Sequence, residues 1–368
     1  MKQPWIHKPL TDSLFLLSPP FAILAVVFFC QDWLQHLEEK HSFYTWLFLV
    51  VFIDVAHVYA TLFKTYLVPA SFREKKRLLI TLPVICFLIG MALFMLGSKV
   101  FWVTLAYVAV FHFIRQQYGF MRVYSRKEIT STSAKLIDKV AIYYATIFPV
   151  IYWHLSGPRN FNWFLDGDFY FFKAEGVLAV ATAIFYIVLT VYVIKEVGLT
   201  WSTRQINLPR IGIISGTIIS WYLGIVYFNG DLAFTLLNVV SHGIPYMALI
   251  YVYGNKKVTN GNADYGRMLK WIFSRYGIVL FLGIVFLFAY LEEGLWDTLV
   301  WKDHKSIFPA FYIADVEVSN TILSFVIPLL ALPQVTHYII DGFIWKIRKD
   351  EFKWNNEVNG SSSVISST

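Results

Sequence analysis

Four histidines, His57, His112, His242 and His337, stand in the middle of apolar, helix-length segments, each with a second polar side chain one helical turn away. Ionisable groups at membrane depth are costly and mark functional positions. Residues three or four apart share a helix face, which pairs Asp54 with His57, Gln116 with His112, Asn238 with His242 and Asp341 with His337. A metal-bound imidazole usually gives its second N–H to a carboxylate or carbonyl. The pattern predicts His57, His112, His242 and His337 as metal ligands, with Asp54 and Asp341 as catalytic carboxylates that orient them, bind metal directly or bridge a second metal. Such donors suit iron, zinc or copper, and two cysteines, Cys30 and Cys86, cannot build a thiolate-rich or iron–sulfur site. Iron is the expected cofactor, with zinc, copper or a bis-histidine haem as alternatives.

Elements that could position these groups follow from composition. The chain is 57% hydrophobic and 15% charged, with 33 Phe, 22 Tyr and 13 Trp, which places it outside ordinary soluble domains. Ten apolar stretches approach the roughly 20 residues that span a bilayer: 14–31, 43–67, 77–98, 100–123, 136–155, 173–195, 208–228, 231–253, 271–291 and 318–345. The expected fold is an all-α, polytopic integral membrane protein of about ten transmembrane helices. One helical domain covers 1–350, and the polar, serine-rich 351–368 is a disordered tail. Pro19 and Pro20 interrupt the first stretch and no small-residue cleavage site follows, so it reads as a retained anchor. The segments 156–172 and 294–317 read as outer loops, the second anchored by Trp296 and Trp301.

Lys and Arg gather in alternate connections, from Arg73, Lys75, Lys76 and Arg77 to Lys346, Arg348 and Lys349, while the intervening connections are acidic or nearly neutral, with Glu292, Glu293, Asp315 and Glu317 in the last. By the positive-inside rule both termini are cytoplasmic, and the net charge of +7 reflects topology and anionic-lipid contact rather than nucleic-acid binding. The expected location is the bacterial plasma (inner) membrane, and the oligomeric state is open. All four histidines then fall on even-numbered helices running the same way. At about 1.5 Å per residue, His57, His112 and His242 count to similar depth. His337 counts deeper, unless Pro328 and Pro333 kink its helix. Further inward lie Thr61, Lys64, Arg115, Arg122, Tyr246 and Trp345, a cationic mouth for an anionic headgroup whose tail would reach the histidines. Lys64, Arg115, Gln116, Asn238 and Tyr246 are the expected substrate contacts, and the expected partners are membrane lipids and a hydrophobic small-molecule substrate.

In site chemistry, and in the fragments Phe111-His112-Phe113 and His337-Tyr338, the chain resembles the bacterial membrane carotene dioxygenases that form retinal. That family's Pro-His-Gly element is absent, and Ser241-His242-Gly243 is a partial echo of it. The resemblance implies histidine-bound iron, and no more is carried over from it. The predicted function is a metal-dependent membrane oxygenase or oxidoreductase acting on a lipid or isoprenoid. Two alternatives follow from other pairings. His337 and Asp341 fit the His-x-x-x-Asp pattern of acyltransferases, with the histidine as base, and Asp54, His57, His337 and Asp341 could form a proton relay in a transporter.

Overall fold

The computed structural model describes residues 3–261, 264–312 and 319–345. The tail 351–368, Lys346, Arg348, Lys349, Asp315 and Glu317 lie outside the described residues. Within them the protein is all-helical, with no strand. Eight helices are long and apolar enough to cross a membrane: α2 Ser42–Phe63, α3 Lys76–Leu96, α4 Ser98–Tyr124, α6 Glu175–Thr203, α7 Leu208–Tyr227, α8 Asp231–Thr259, α9 Ile278–Trp301 and α10 Asn320–Ile344.

The other two apolar stretches behave differently. The first forms a pair of helices, Pro9–Leu17 and Pro19–Phe29 (together α1), bent by 54°, because Pro19 and Pro20 remove the N–H groups that would carry one helix across Ser18. The fifth forms α5, Thr132–Ser156, 25 residues long but not among the eight. Lys135, Asp138 and Lys139 crowd its first turns, and Tyr143, Tyr144, Tyr152 and His154 interrupt the remainder.

Hydrogen bonds join alternate connections to one another. At one end Gln3 donates to the Ile206 carbonyl (2.8 Å), Arg126 donates to Pro4 and Trp5, and Lys256 donates to Ile6. At the other end the Asn160 N–H donates to Asn229 Oδ1 (2.9 Å) and Trp46 stacks on His304 at 4.6 Å. The basic connections around residues 126, 204 and 256 thus lie together on one face, and the connections that carry fewer basic residues lie on the other.

The basic face is held by a buried ionic knot. Arg210, 1% exposed, reaches Glu128 (3.0 Å), Asp138 (2.7 Å) and Glu196 (2.7 Å), and Lys195 pairs with Asp138 and Glu196. Asn207 caps α7 by accepting from the Arg210 N–H and donates to Glu128 and the Tyr124 carbonyl. Burial raises the Glu128 carboxyl above its usual range, and the Arg210 charge opposes that shift. The knot ties α5, α6 and α7 to the end of α4, which carries His112.

Candidate metal centre

Two of the histidines follow irregular helical turns. The stretch Leu47–Val55 before His57 and the stretch Leu236–Val240 before His242 are π-helical, a wider coil found often at functional sites because it rotates the following side chains relative to an α-helix. These two stretches pack on each other. A Cβ at Gly243 would lie 2.8 Å from Ile53 Cγ2 and 2.9 Å from the Ile53 carbonyl oxygen, so only glycine lets α8 approach α2 this closely. That contact sets His242 against His57.

The four imidazoles converge at the centre of the helical bundle, each buried to 2% exposure or less. Ring centroids are 4.7 Å apart for His57 and His242, 4.9 Å for His57 and His337, 4.5 Å for His112 and His337, and 5.0 Å for His112 and His242. The depth offset expected for His337 is absent. Helix α10 is interrupted at Ala331, between Pro328 and Pro333, and resumes as Leu332–Ile344, which brings His337 level with the others. The ligand atoms of His57, His112 and His337 all lie within 4.8 Å of one another. Nitrogen ligands at about 2.1 Å from a tetrahedral metal stand roughly 3–4 Å apart, so these three need only small side-chain adjustments to share an ion. His242 lies beside this group, its ring stacked face to face on Phe113 at 3.6 Å.

With Asp341 ionised, proton bookkeeping fixes the state of His337. Tyr246 donates its hydroxyl to Asp341 Oδ1 (2.6 Å), and Thr61 Oγ1 lies 2.9 Å from the Tyr246 hydroxyl and 2.6 Å from His337 Nδ1. Each hydroxyl has one proton. Since Tyr246 spends its proton on Asp341, Thr61 donates to Tyr246 and accepts from His337 Nδ1–H. The Nε2 lone pair of His337 is thereby left for a ligand. Asp341 Oδ2 stands 4.0 Å from His112 Nδ1, and Asp54 Oδ1 3.6 Å from His57 Nδ1. Both carboxylates thus stand beside the imidazoles, at distances longer than a hydrogen bond.

Six imidazole nitrogens in this centre have no hydrogen-bond partner: His57 Nδ1 and Nε2, His112 Nε2, His242 Nδ1 and Nε2, and His337 Nε2. A buried polar atom left unsatisfied costs about 1–3 kcal/mol. Six together rival the whole stability of a typical domain, about 5–15 kcal/mol. A neutral imidazole has one lone pair, so a bound cation can take one nitrogen from each ring and lowers this penalty without removing all of it; the residues present fit a metal. They do not fit a haem, because four rings 4.5–6.4 Å apart fill the space a macrocycle would need.

The other expected contacts divide. Gln116 donates to the His242 carbonyl (3.0 Å) and supports the cluster from behind. Tyr246 belongs to the chain above. Lys64 is buried, with its ammonium 3.5 Å from the Tyr253 ring centroid and 4.2 Å from that of Trp345. Asn238 donates to the Phe234 carbonyl (2.9 Å) and is nested against Gly224, where a Cβ would lie 2.8 Å from its amide. Its contacts are those of helix packing. Arg115 does not face the centre: it is exposed and donates to Tyr143 (2.7 Å), because it lies about 100° around α4 from Gln116.

Glu292 and Glu293, expected in an outer loop, instead sit inside α9, 5% and 8% exposed, and Glu292 accepts from Tyr59 (2.6 Å) and Trp296 (3.3 Å). Trp296 is correspondingly buried against Trp102 rather than anchored in an interface. Tyr338, stacked on His112 at 4.9 Å, also joins the centre; its position one residue after His337 was the available signal. Comparison of the chain with protein-family models, curated proteins and solved structures gave no match.

Proposed function

We propose that this protein is a multi-pass membrane enzyme whose histidine centre holds a metal, iron, and acts on a lipid or isoprenoid as an oxygenase or oxidoreductase. The observation that carries this reading is a cluster of four buried imidazoles with unsatisfied ring nitrogens, of which His57, His112 and His337 offer ligand atoms within 4.8 Å of one another. His57, His112 and His337 are the ligands in this reading, and His242 is a fourth within reach. The donor set lacks thiolate, since Cys30 and Cys86 are elsewhere, which suits iron, zinc or copper. The resemblance to membrane carotene dioxygenases selects iron among them. Bound iron supplies one-electron and dioxygen chemistry that side chains lack.

The chain's own residues perform the remaining tasks. Thr61, Tyr246 and Asp341 hold His337 in one tautomer, and Asp54 lies 3.6 Å from His57 Nδ1. Phe113 and Tyr338 cover His242 and His112 and keep water from the centre. In this reading the chain crosses a bacterial plasma membrane ten times with both termini cytoplasmic, the basic connections facing the cytoplasm. An acyltransferase is less well supported, because the Nδ1 of His337 is engaged by Thr61 and stands 3.9 Å from Asp341.

The test is elemental mass spectrometry of detergent-purified protein, with an absorption spectrum of the same sample. Iron near one or two atoms per chain without a haem band is expected. Absence of any metal after chelator-free purification overturns the reading.

A further inference from the structure

A cleft of about 270 Å³ opens between α2, α3 and α10. Its walls include Leu62, Pro83, Leu329, Leu332 and Ile340, and His337 and Thr61 also line it. Exposure grades across it: Leu329 is 55% exposed, whereas Thr61 and His337 are 4% and 2%. The open end is therefore at the bundle surface and the closed end at the histidine centre. Outside the opening, Val84 and Leu88 of α3 are 55% and 57% exposed, so at membrane depth the cleft faces hydrocarbon.

The lower end of the cleft is built rather than accidental. Pro83 cannot donate to the carbonyl four residues earlier, and that carbonyl, Leu79, accepts instead from the Tyr66 hydroxyl (2.8 Å). Tyr66 is thereby fixed as a wall of the cleft. Arg77 is two residues from Leu79, and Arg73, Lys76 and Arg77 are all exposed there. At 1.5 Å per residue, Arg77 and Pro83 are separated by about 9 Å, a span that places these cations at headgroup level when Pro83 is in the hydrocarbon. A cluster of exposed Lys and Arg at a membrane surface attracts anionic lipids.

We infer that an anionic phospholipid seats one acyl chain in this cleft, with its headgroup on Arg73, Lys76 and Arg77 and the chain's interior beside His337. The inference deepens the proposed function, on which it rests for its chemical meaning: it gives the substrate class as a phospholipid acyl chain and the route as lateral, from the bilayer. It also replaces the mouth expected around Arg115, which faces elsewhere.

The experiment uses the full chain in phosphatidylcholine vesicles containing a small fraction of phosphatidylglycerol with a mid-chain diazirine. After irradiation, labelled peptides are mapped and metal is measured on the same sample. Label concentrated on residues 58–66 and 332–340 is expected, lowered at least tenfold by Leu332→Trp and several-fold by R73Q/K76Q/R77Q. Unlabelled phosphatidylglycerol should compete in the wild type, a readout independent of whether the variants fold. Label spread evenly over the exposed faces of α3 and α6, with no competition, overturns the inference even if the metal is present. Equal labelling by diazirine phosphatidylcholine overturns the headgroup assignment. Competed cleft labelling in metal-free protein supports the lipid site and counts against the metal reading alone.

Discussion

The Arg210 knot and the histidine centre are both buried polar clusters among apolar helices, yet they are built on opposite principles. In the knot, the Arg210 donors meet Glu128, Asp138 and Glu196, and Lys195 bridges two of those carboxylates. It closes on itself. In the centre, one ring nitrogen of His337 is engaged through Thr61, while six nitrogens of the four rings have no partner. A polar cluster that serves architecture satisfies its own donors and acceptors, since breaking a buried pair costs about 3–5 kcal/mol. One that serves a ligand leaves some of them open, here with three ligand atoms within 4.8 Å of one another.

The largest expected effect separates the two clusters directly. His57→Ala, His112→Ala and His337→Ala should each lose most of the bound metal and activity while staying folded, as read by elemental analysis and size-exclusion profile. Retention of full metal by all three would abolish the distinction between the clusters. Arg210→Met should do the reverse, destabilising the fold by about 3–5 kcal/mol with metal per folded chain unchanged, measured by thermal unfolding of detergent-solubilised protein. A metal loss in Arg210→Met as complete as in the histidine variants would make the knot part of the site.

A smaller effect sharpens the inside of the centre. Thr61→Val and Tyr246→Phe break the chain that fixes the His337 tautomer and should weaken metal binding about 10–100-fold, as seen by titration with ferrous ion. His242→Ala should lower affinity yet still take up one ion at saturating metal, because its ligand atoms lie outside the close group of three. Complete loss would make it an obligatory fourth ligand. The smallest effect belongs to Arg115→Gln, for which metal content and stability should stay within measurement error, as expected of an exposed side chain bonded to Tyr143. A marked loss there would return Arg115 to the site.

Sequence alone determined the membrane character, the all-helical class and the candidates His57, His112, His242 and His337 with Asp54 and Asp341. These depend on local quantities: the length of an apolar run, the cost of an ionisable group within it, and the spacing that puts two residues on one helix face. The alternation of basic connections is similarly local, and the structure brings those around residues 126, 204 and 256 together on one face.

Tertiary structure decided the rest, because helix phase and bending are set by neighbours remote in the chain. The close approach of Gly243 to Ile53 and the π-helical turns brought His57 and His242 into register, and the interruption at Ala331 removed the offset of His337. Packing of α4 turned Arg115 outward, burial of α9 drew Glu292 and Glu293 inward, and the gap between α2, α3 and α10 opened beside His337. A helix-length window names the residues able to bind a metal, but only the packed neighbours determine which of their atoms are left without a partner.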